Sequence, residues 1–328
     1  MQSALRPFRA LMCAAALAGS AASGAWGGGP GAAAAPGAAD PPFDAVWRDG
    51  RAELDGYRLT VQRYGHPRSG RAVLIYVTEP FSAAKHVKLD DPSRAPGDVL
   101  DVLKLNLVRH FQTGIYDYHT MISLFVRAAD FAPVKEAFSG SEWCGQVYDE
   151  MQFGTREVTD RFSSYFEGES GATRLGLPGG GLAEDDLFIL LRGLRGPFLG
   201  PGARRSVAFL PSPFYARLTH ARPAWGTAEI ERLAAPQTVR VPAGGFRAWL
   251  YVVRVPGQRE GRFWVEAGAP HRILGWAWEP ARGGPPRRLL GGTDAGELTG
   301  SARLPYWNLH DPGGEQYLRQ LGLSAPVN

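Results

Sequence analysis

Beyond Trp47 the chain alternates apolar and polar residues with a period of two, the signature of strands that bury one face. Tyr57, Leu59 and Val61 alternate with Arg58, Thr60 and Gln62, and Arg71–Thr78 follows the turn cluster at 65–70 as the hairpin partner. Leu103, Leu105 and Leu107 share a face opposite Val102, Lys104, Asn106 and Val108, and 121–127, 143–148 and 161–166 continue the series. Later strands are expected at 206–210, 215–220, 226–233, 238–241, 246–255, 262–266 and 271–279. Turn signals recur about every 8–12 residues, the spacing of a meander rather than of βαβ units. Helix signals are few. Residues 184–192 open on acids and close on arginine, with Leu187, Leu190, Leu191 and Leu194 on one stripe, which predicts a connecting helix. Residues 315–321 predict a short C-terminal helix. The pattern therefore predicts a mainly β fold: two curved antiparallel sheets, an N-terminal β domain over 42–175 and a C-terminal β domain over 182–328.

The first 25 residues lack this pattern. Arg6 and Arg9, a short apolar run from Ala10 and the small residues at 22–25 read as a signal peptide, with a flexible Gly/Ala/Pro tether over 26–41. The expected location is periplasmic or secreted, as a soluble protein. No later apolar run reaches the ~20 residues of a membrane-spanning helix, so none is expected after signal removal. Met12 precedes Cys13 and Arg9 lies four residues before it, which argues against a lipid anchor there. Once the leader is removed, Cys144 is the only cysteine left, so an internal disulfide, a Cys-x-x-Cys redox pair and a cysteine-rich zinc site are excluded. Its alternation with Gln146 and Tyr148 reads as a packed core thiol. A net charge of +4 is too small to make nucleic acid the default partner, and none is expected.

Candidate chemistry is sparse. The seven histidines (66, 86, 110, 119, 220, 271 and 310) include no pair at i, i+2 or i, i+4, so no single strand or helix presents two metal ligands. No metal, cofactor or catalytic residue is expected. No Gly-x-Ser-x-Gly elbow occurs, and the glycine run at 176–182 lacks the Lys-Ser/Thr ending of a phosphate loop. Two groups remain as ligand-binding candidates. All four lysines fall between 85 and 135 against 32 arginines overall. Lys88, Lys104 and Asn106, with Glu79, Tyr116 and Glu142, form either a headgroup-orienting cluster inside a curved sheet or a solvated outer face. Trp249, Trp264 and Trp276 lie on consecutive strands and would line an apolar pocket if their sheet curves, or else belong to the core.

Residues 236–280 carry a strand ending Val-Pro-Ala-Gly-x-Phe, a hairpin, a Phe-Trp-Val strand and Ala-Pro-His-Arg before the next strand. This stretch resembles exported bacterial proteins of the domain-of-unknown-function type and is similar to the curved half-barrel of periplasmic lipoprotein carriers. Val77–Phe81, Lys85–Asp90, Val102–Asn106, Thr113–Tyr118, Glu142–Gly145 and Ser164–Glu169 resemble uncharacterised envelope proteins sometimes labelled septum-formation inhibitors. The chain has neither the Ser-x-Ser-Pro-Arg-Arg motif nor the alternating βα units of that enzyme class, so the resemblance implies fold and compartment and no activity. The leading expectation is an exported, non-enzymatic envelope protein that binds an amphipathic or lipid-like ligand against a concave sheet face. The alternatives are an envelope hydrolase centred on Glu142 and Cys144, and a structural interaction protein without a small ligand. The protein partner is left open.

Overall fold

The computed structural model describes residues 41–281 and 294–324. The expected signal peptide, most of the tether and Cys13 lie outside them. The class is mainly β, as the alternation predicts, but the strands of both halves belong to one sheet. Its strands are β1 (Ala52–Arg63), β2 (His66–Ser82), β3 (Val99–Thr113), β4 (Tyr116–Arg127), β5 (Pro133–Glu142), β6 (Gly145–Phe153), β7 (Glu157–Ser164) and β8 (Gly171–Gly176). After the midpoint come β9 (Leu182–Ala183), β10 (Arg204–Leu210), β11 (Gly226–Arg232), β12 (Gln237–Val241), β13 (Gly244–Val255), β14 (Arg259–Glu266), β15 (Ile273–Pro280) and β16 (Asp294–Leu304). Hydrogen bonding runs β8 through β1 in sequence order, then β16, β15, β14, β13, β11, β10 and β9, with β12 on β13. The β1–β16 pairing joins the halves. The path is not closed into a barrel. Its two ends instead pack together, Met151, Phe153 and Val158 clustering with Ala183 and Leu210.

One face of this sheet is apolar and must be covered. The cover is the chain's own middle. Residues 184–186 form a 3₁₀ turn that runs into helix α2 (Leu187–Leu190), preceded in the chain by α1 (Phe43–Trp47) and followed by α3 (Pro213–Thr219). Phe188 packs edge-on against Trp276 and Phe263, at ring centroids 5.2 and 5.4 Å apart. The predicted helix over 184–192 is therefore shorter than its leucine stripe suggests. Glu184, Asp185 and Asp186, which a helix N-terminus would present to water, are all buried against the sheet. The predicted strand at 215–220 is helix α3 instead. Ser212 accepts a hydrogen bond from the Phe214 backbone N–H and Pro213 opens the first turn, a cap that outweighs the local alternation. The C-terminal segment Gly314–Leu321 is 3₁₀ and lies on the opposite face, over β1 and β16. It can do so because Gly56 and Gly300, paired in register, carry no side chain. A Cβ at Gly56 would sit 2.2 Å from the Leu321 carbonyl oxygen, and one at Gly300 2.4 Å from that of Gln320.

The cover is fastened by buried ion pairs. Arg192, fully buried at the end of α2, places Nη2 2.6 Å from Glu53 Oε1 on β1. Its guanidinium also donates to the carbonyls of His271 and Pro270 and lies 4.3 Å from the Tyr76 ring centre. Glu184 binds Arg259 of β14 through two hydrogen bonds and accepts a third from the Ser212 backbone. Removing one member of such a pair strands a charge in a medium that cannot solvate it. Arg192→Met is expected to cost ~3–5 kcal/mol in urea unfolding, and adding Glu53→Gln to recover part of that loss. A loss below about 1 kcal/mol would show that the cover does not depend on this pair.

Candidate functional site

The alternating meander puts the turns of β1–β2, β3–β4, β5–β6 and β7–β8 at one end of the sheet. Three are two-residue turns, Tyr64-Gly65, Gly114-Ile115 and Trp143-Cys144, and the fourth spans 165–170. Tyr64 and Gly65 both take positive φ, 54° and 77°, the geometry that a tight hairpin demands. Each tip exposes a large side chain: Tyr64 at 55%, Ile115 at 77%, Trp143 at 69% and Tyr165 at 63%. The row is continuous. Tyr64 Oη lies 2.9 Å from Tyr118 Oη and 3.4 Å from Tyr116 Oη, and the Tyr116 ring is 6.4 Å from that of Trp143. Tyr165 packs over Gly145, where a Cβ would come within 2.3 Å of its ring.

Behind the tips stands a polar belt. The Glu142 carboxylate is hydrogen-bonded to Arg217 of α3, with both side chains buried. The Arg217 guanidinium lies 4.3 Å from the Phe166 ring centre. His220 Nδ1 is 2.5 Å from Glu169 Oε1, and Arg63 lies 4.5 Å from the Tyr64 ring centre while donating to the Leu218 carbonyl. Burial, then hydrogen bonds to Glu142 and Tyr64, raise the Tyr118 hydroxyl well above its ordinary value. On the outer face, His119, Met121, Ser139, Ser141, Tyr148 and Tyr165 line an open groove of about 840 Å³.

The candidate residues from the sequence do not form one cluster. Tyr116 and Glu142 reach the tip end. Lys104 is on the outer face of β3, its Nζ 2.8 Å from Glu79 Oε2, and Asn106 is next to it on that face with a buried Oδ1 that finds no partner. Nine strand positions at ~3.3 Å each separate Lys104 from the tip, about 30 Å. Lys88 is exposed in the loop after β2, at the opposite end. The three tryptophans also part. Trp276 is 1% exposed beneath Phe188 and Tyr57; Trp249, on the same face as Tyr251, is stacked by Arg232 at 3.7 Å; Trp264 points to the face away from Phe263. The concave face expected to need a ligand is filled by 184–199 and α3. Its acids were not foreseen. Burial, then the charge of Glu53, raises Asp55 well above the carboxylate range; burial, then Asp185, does the same to Glu136. Asp149 is pushed up to about 9 by burial and by Asp160 beside it.

No protein-family model and no curated protein matches the chain. Solved structures similar to it include a beta-barrel-like protein of the domain of unknown function DUF1849 from Brucella abortus, at 10% identity and TM-score 0.38, covering 77% of this chain and 98% of that one. Another is a protein from Bacteroides fragilis described as exported, with a YmcC-like fold, at 11% identity and TM-score 0.21, covering 76% and 95%. A third is a domain from Vibrio parahaemolyticus described as an outer membrane lipoprotein-sorting protein, at 7% identity and TM-score 0.21, covering 80% and 88%. At these identities none of them assigns a role to a residue here. Among the described residues no helix is long and apolar enough to cross a membrane.

Cys144 is exposed, not core: it occupies the second position of the β5–β6 turn, where the alternation of β6 has not begun. A thiol reagent should therefore label it in the folded protein, and Cys144→Ser should leave stability within about 0.5 kcal/mol. Protection until unfolding would contradict this placement. The Asp149 proton gives a second expectation. Between the ordinary carboxylate value of 3.8 and about 9 the folded protein keeps a proton that the unfolded chain has released. Its contribution to stability is thus full below about pH 4 and lost as pH rises toward 9. Asp149→Asn, whose amide replaces the carboxyl O–H as donor to Asp160, should gain stability relative to the parent as pH is raised from about 5 to about 8.5. Parallel melting curves at all pH values would refute the assignment.

Proposed function

We propose that this chain is an exported, non-enzymatic envelope protein that docks on a lipid surface through the hairpin-tip end of its sheet. One observation carries the reading: Tyr64, Ile115, Trp143 and Tyr165 stand exposed on four successive tips at the same end. Tyr and Trp pair an apolar body with a polar handle, which suits the boundary between acyl chains and headgroups, and Ile115 supplies purely apolar surface. Arg222 lies close behind the row, paired with Asp160 but partly exposed, and keeps an open face for phosphate groups. The other end differs. Its loops carry Lys85, Lys88, Asp90, Asp91, Arg94, Asp98 and Asp130, and among the described residues the aromatics at the surface there are the single pair Tyr306–Trp307 and not a row across successive tips. Separate protruding tips fit a soft interface, into which each sinks to its own depth, better than a rigid groove on a protein partner. Glu142, the acid a hydrolase would centre on, is engaged by Arg217, which leaves the binding role better supported.

Burying a Trp or Ile side chain contributes ~1.5–3 kcal/mol, so Ile115→Ser with Trp143→Ser should lose ~3 kcal/mol or more of membrane affinity, about a hundredfold. Co-sedimentation with phosphatidylglycerol–phosphatidylethanolamine vesicles measures it, with Trp307→Ser as the control and melting curves to establish that each variant folds. Equal partitioning of the double variant and the parent, or no partitioning of the parent, would overturn the proposal.

A further inference from the structure

The β3–β4 hairpin holds a second group of side chains that the spacing of the histidines along the chain does not reveal. His110 of β3 stands directly across from His119 of β4, and Asp117 lies one rung nearer the turn on the same face, opposite Gln112. The imidazoles stack with centroids 4.4 Å apart and an interplanar angle of 26°. Asp117 Oδ1 is 3.5 Å from His110 Nε2, and one ligand atom from each of the three residues lies within 4.8 Å of the other two. We propose that His110, Asp117 and His119 bind one divalent transition-metal ion of the Zn²⁺ or Cu²⁺ class.

The donor set selects that class. Imidazole suits zinc and copper, whereas calcium and magnesium take oxygen ligands. Metal–ligand bonds of ~2.0–2.2 Å place donor atoms roughly 3.3 Å apart in a tetrahedron, so the three groups must close by up to about 1.5 Å. Side-chain rotation supplies that movement, since His119 is exposed and Asp117 and His110 are partly so. The Asp117 carboxylate also offsets Arg71, which stands across from His110 on β2. His119 lines the outer groove, so the remaining coordination positions open to water or to an anionic group lying there. This inference stands apart from the lipid-docking surface, because its residues are on the outer face below the tips and none is among the four exposed tip residues.

Isothermal titration of the full chain with Zn²⁺ alone, in a non-coordinating buffer, tests it. The expected result is saturable uptake of one equivalent, weakened at least about tenfold by His110→Gln or His119→Gln and unchanged by His310→Gln at an exposed site elsewhere. Nitrogen-15 spectra of the unmodified protein decide the matter even where a variant folds poorly: one equivalent of Zn²⁺ should shift two imidazoles together. The absence of saturable uptake, affinity indifferent to His119→Gln, or shifts confined to other histidines would overturn the proposal.

Discussion

The structure depends on covering the apolar face of an open sheet. A closed barrel fills its interior with the side chains of opposing strands, but here the path ends at β8 and β9 without closing. The middle of the chain, 184–199 and α3, takes the place of the missing closure. Hydrophobic contact alone would hold this strip without fixing where it sits, since Phe188 and Leu187 can slide over an apolar surface. Arg192 on Glu53 and Arg259 on Glu184 supply the register, because a buried charge tolerates only the position where its partner stands. The all-buried start of β1 follows from the same constraint. Glu53 and Asp55 face the strip, while Ala52, Leu54 and Gly56 face the C-terminal segment.

Covering the inner face leaves the ends and the outside of the sheet as the surfaces open to a partner. The long strands β1–β8 separate two sets of connecting turns with different chemistry, rich in charge at one end and tipped with aromatics at the other. Tight two-residue turns cannot bury their own side chains, so whatever occupies a tip is displayed. A large apolar residue at such a position gains nothing from the core, and a contiguous row of them is the kind of patch that marks an interaction surface. The same geometry displays Cys144 and brings the β3 and β4 histidines together below Ile115.

How much of this could be read in the chain depended on the distance over which each feature is specified. Strand alternation is local, and Leu103, Leu105 and Leu107 do face the core as their spacing demands. Features set across strands were not legible. His110 and His119 are nine residues apart, and only the β3–β4 register makes them neighbours. Trp249, Trp264 and Trp276 lie on consecutive strands, yet their faces follow from pairing, which divides them. Glu184–Asp186 has the composition of a solvated helix start, and its burial became visible only with Arg259 and the sheet in place. At 213–219 a legible signal was outweighed: Ser212-Pro213 marks a helix start, while the alternation of the following residues points to a strand.

The imbalance between arginine and lysine belongs to the same physics. The lysines stay outside: Lys104 pairs with Glu79 and Lys135 with Glu150 on the outer face, and Lys85 and Lys88 are exposed. Among the described residues every buried cation is an arginine resting on a ring, Arg63 over Tyr64 at 4.5 Å included. Arg192 lies over Tyr76, Arg109 over Phe214, Arg217 over Phe166, Arg232 over Trp249 and Arg259 over Tyr215, at 3.5–4.3 Å from the ring centres. A planar, weakly hydrated guanidinium loses less on leaving water than an ammonium does, and it can bind a carboxylate along its edge while an aromatic covers its face. A lysine at position 192 would offer Glu53 a point charge and leave the His271 and Pro270 carbonyls without the second donor direction they use. The fold thus needs arginine wherever the cover strip meets the sheet, and a lysine-rich version of this chain would lose the register before it lost its hydrophobic core.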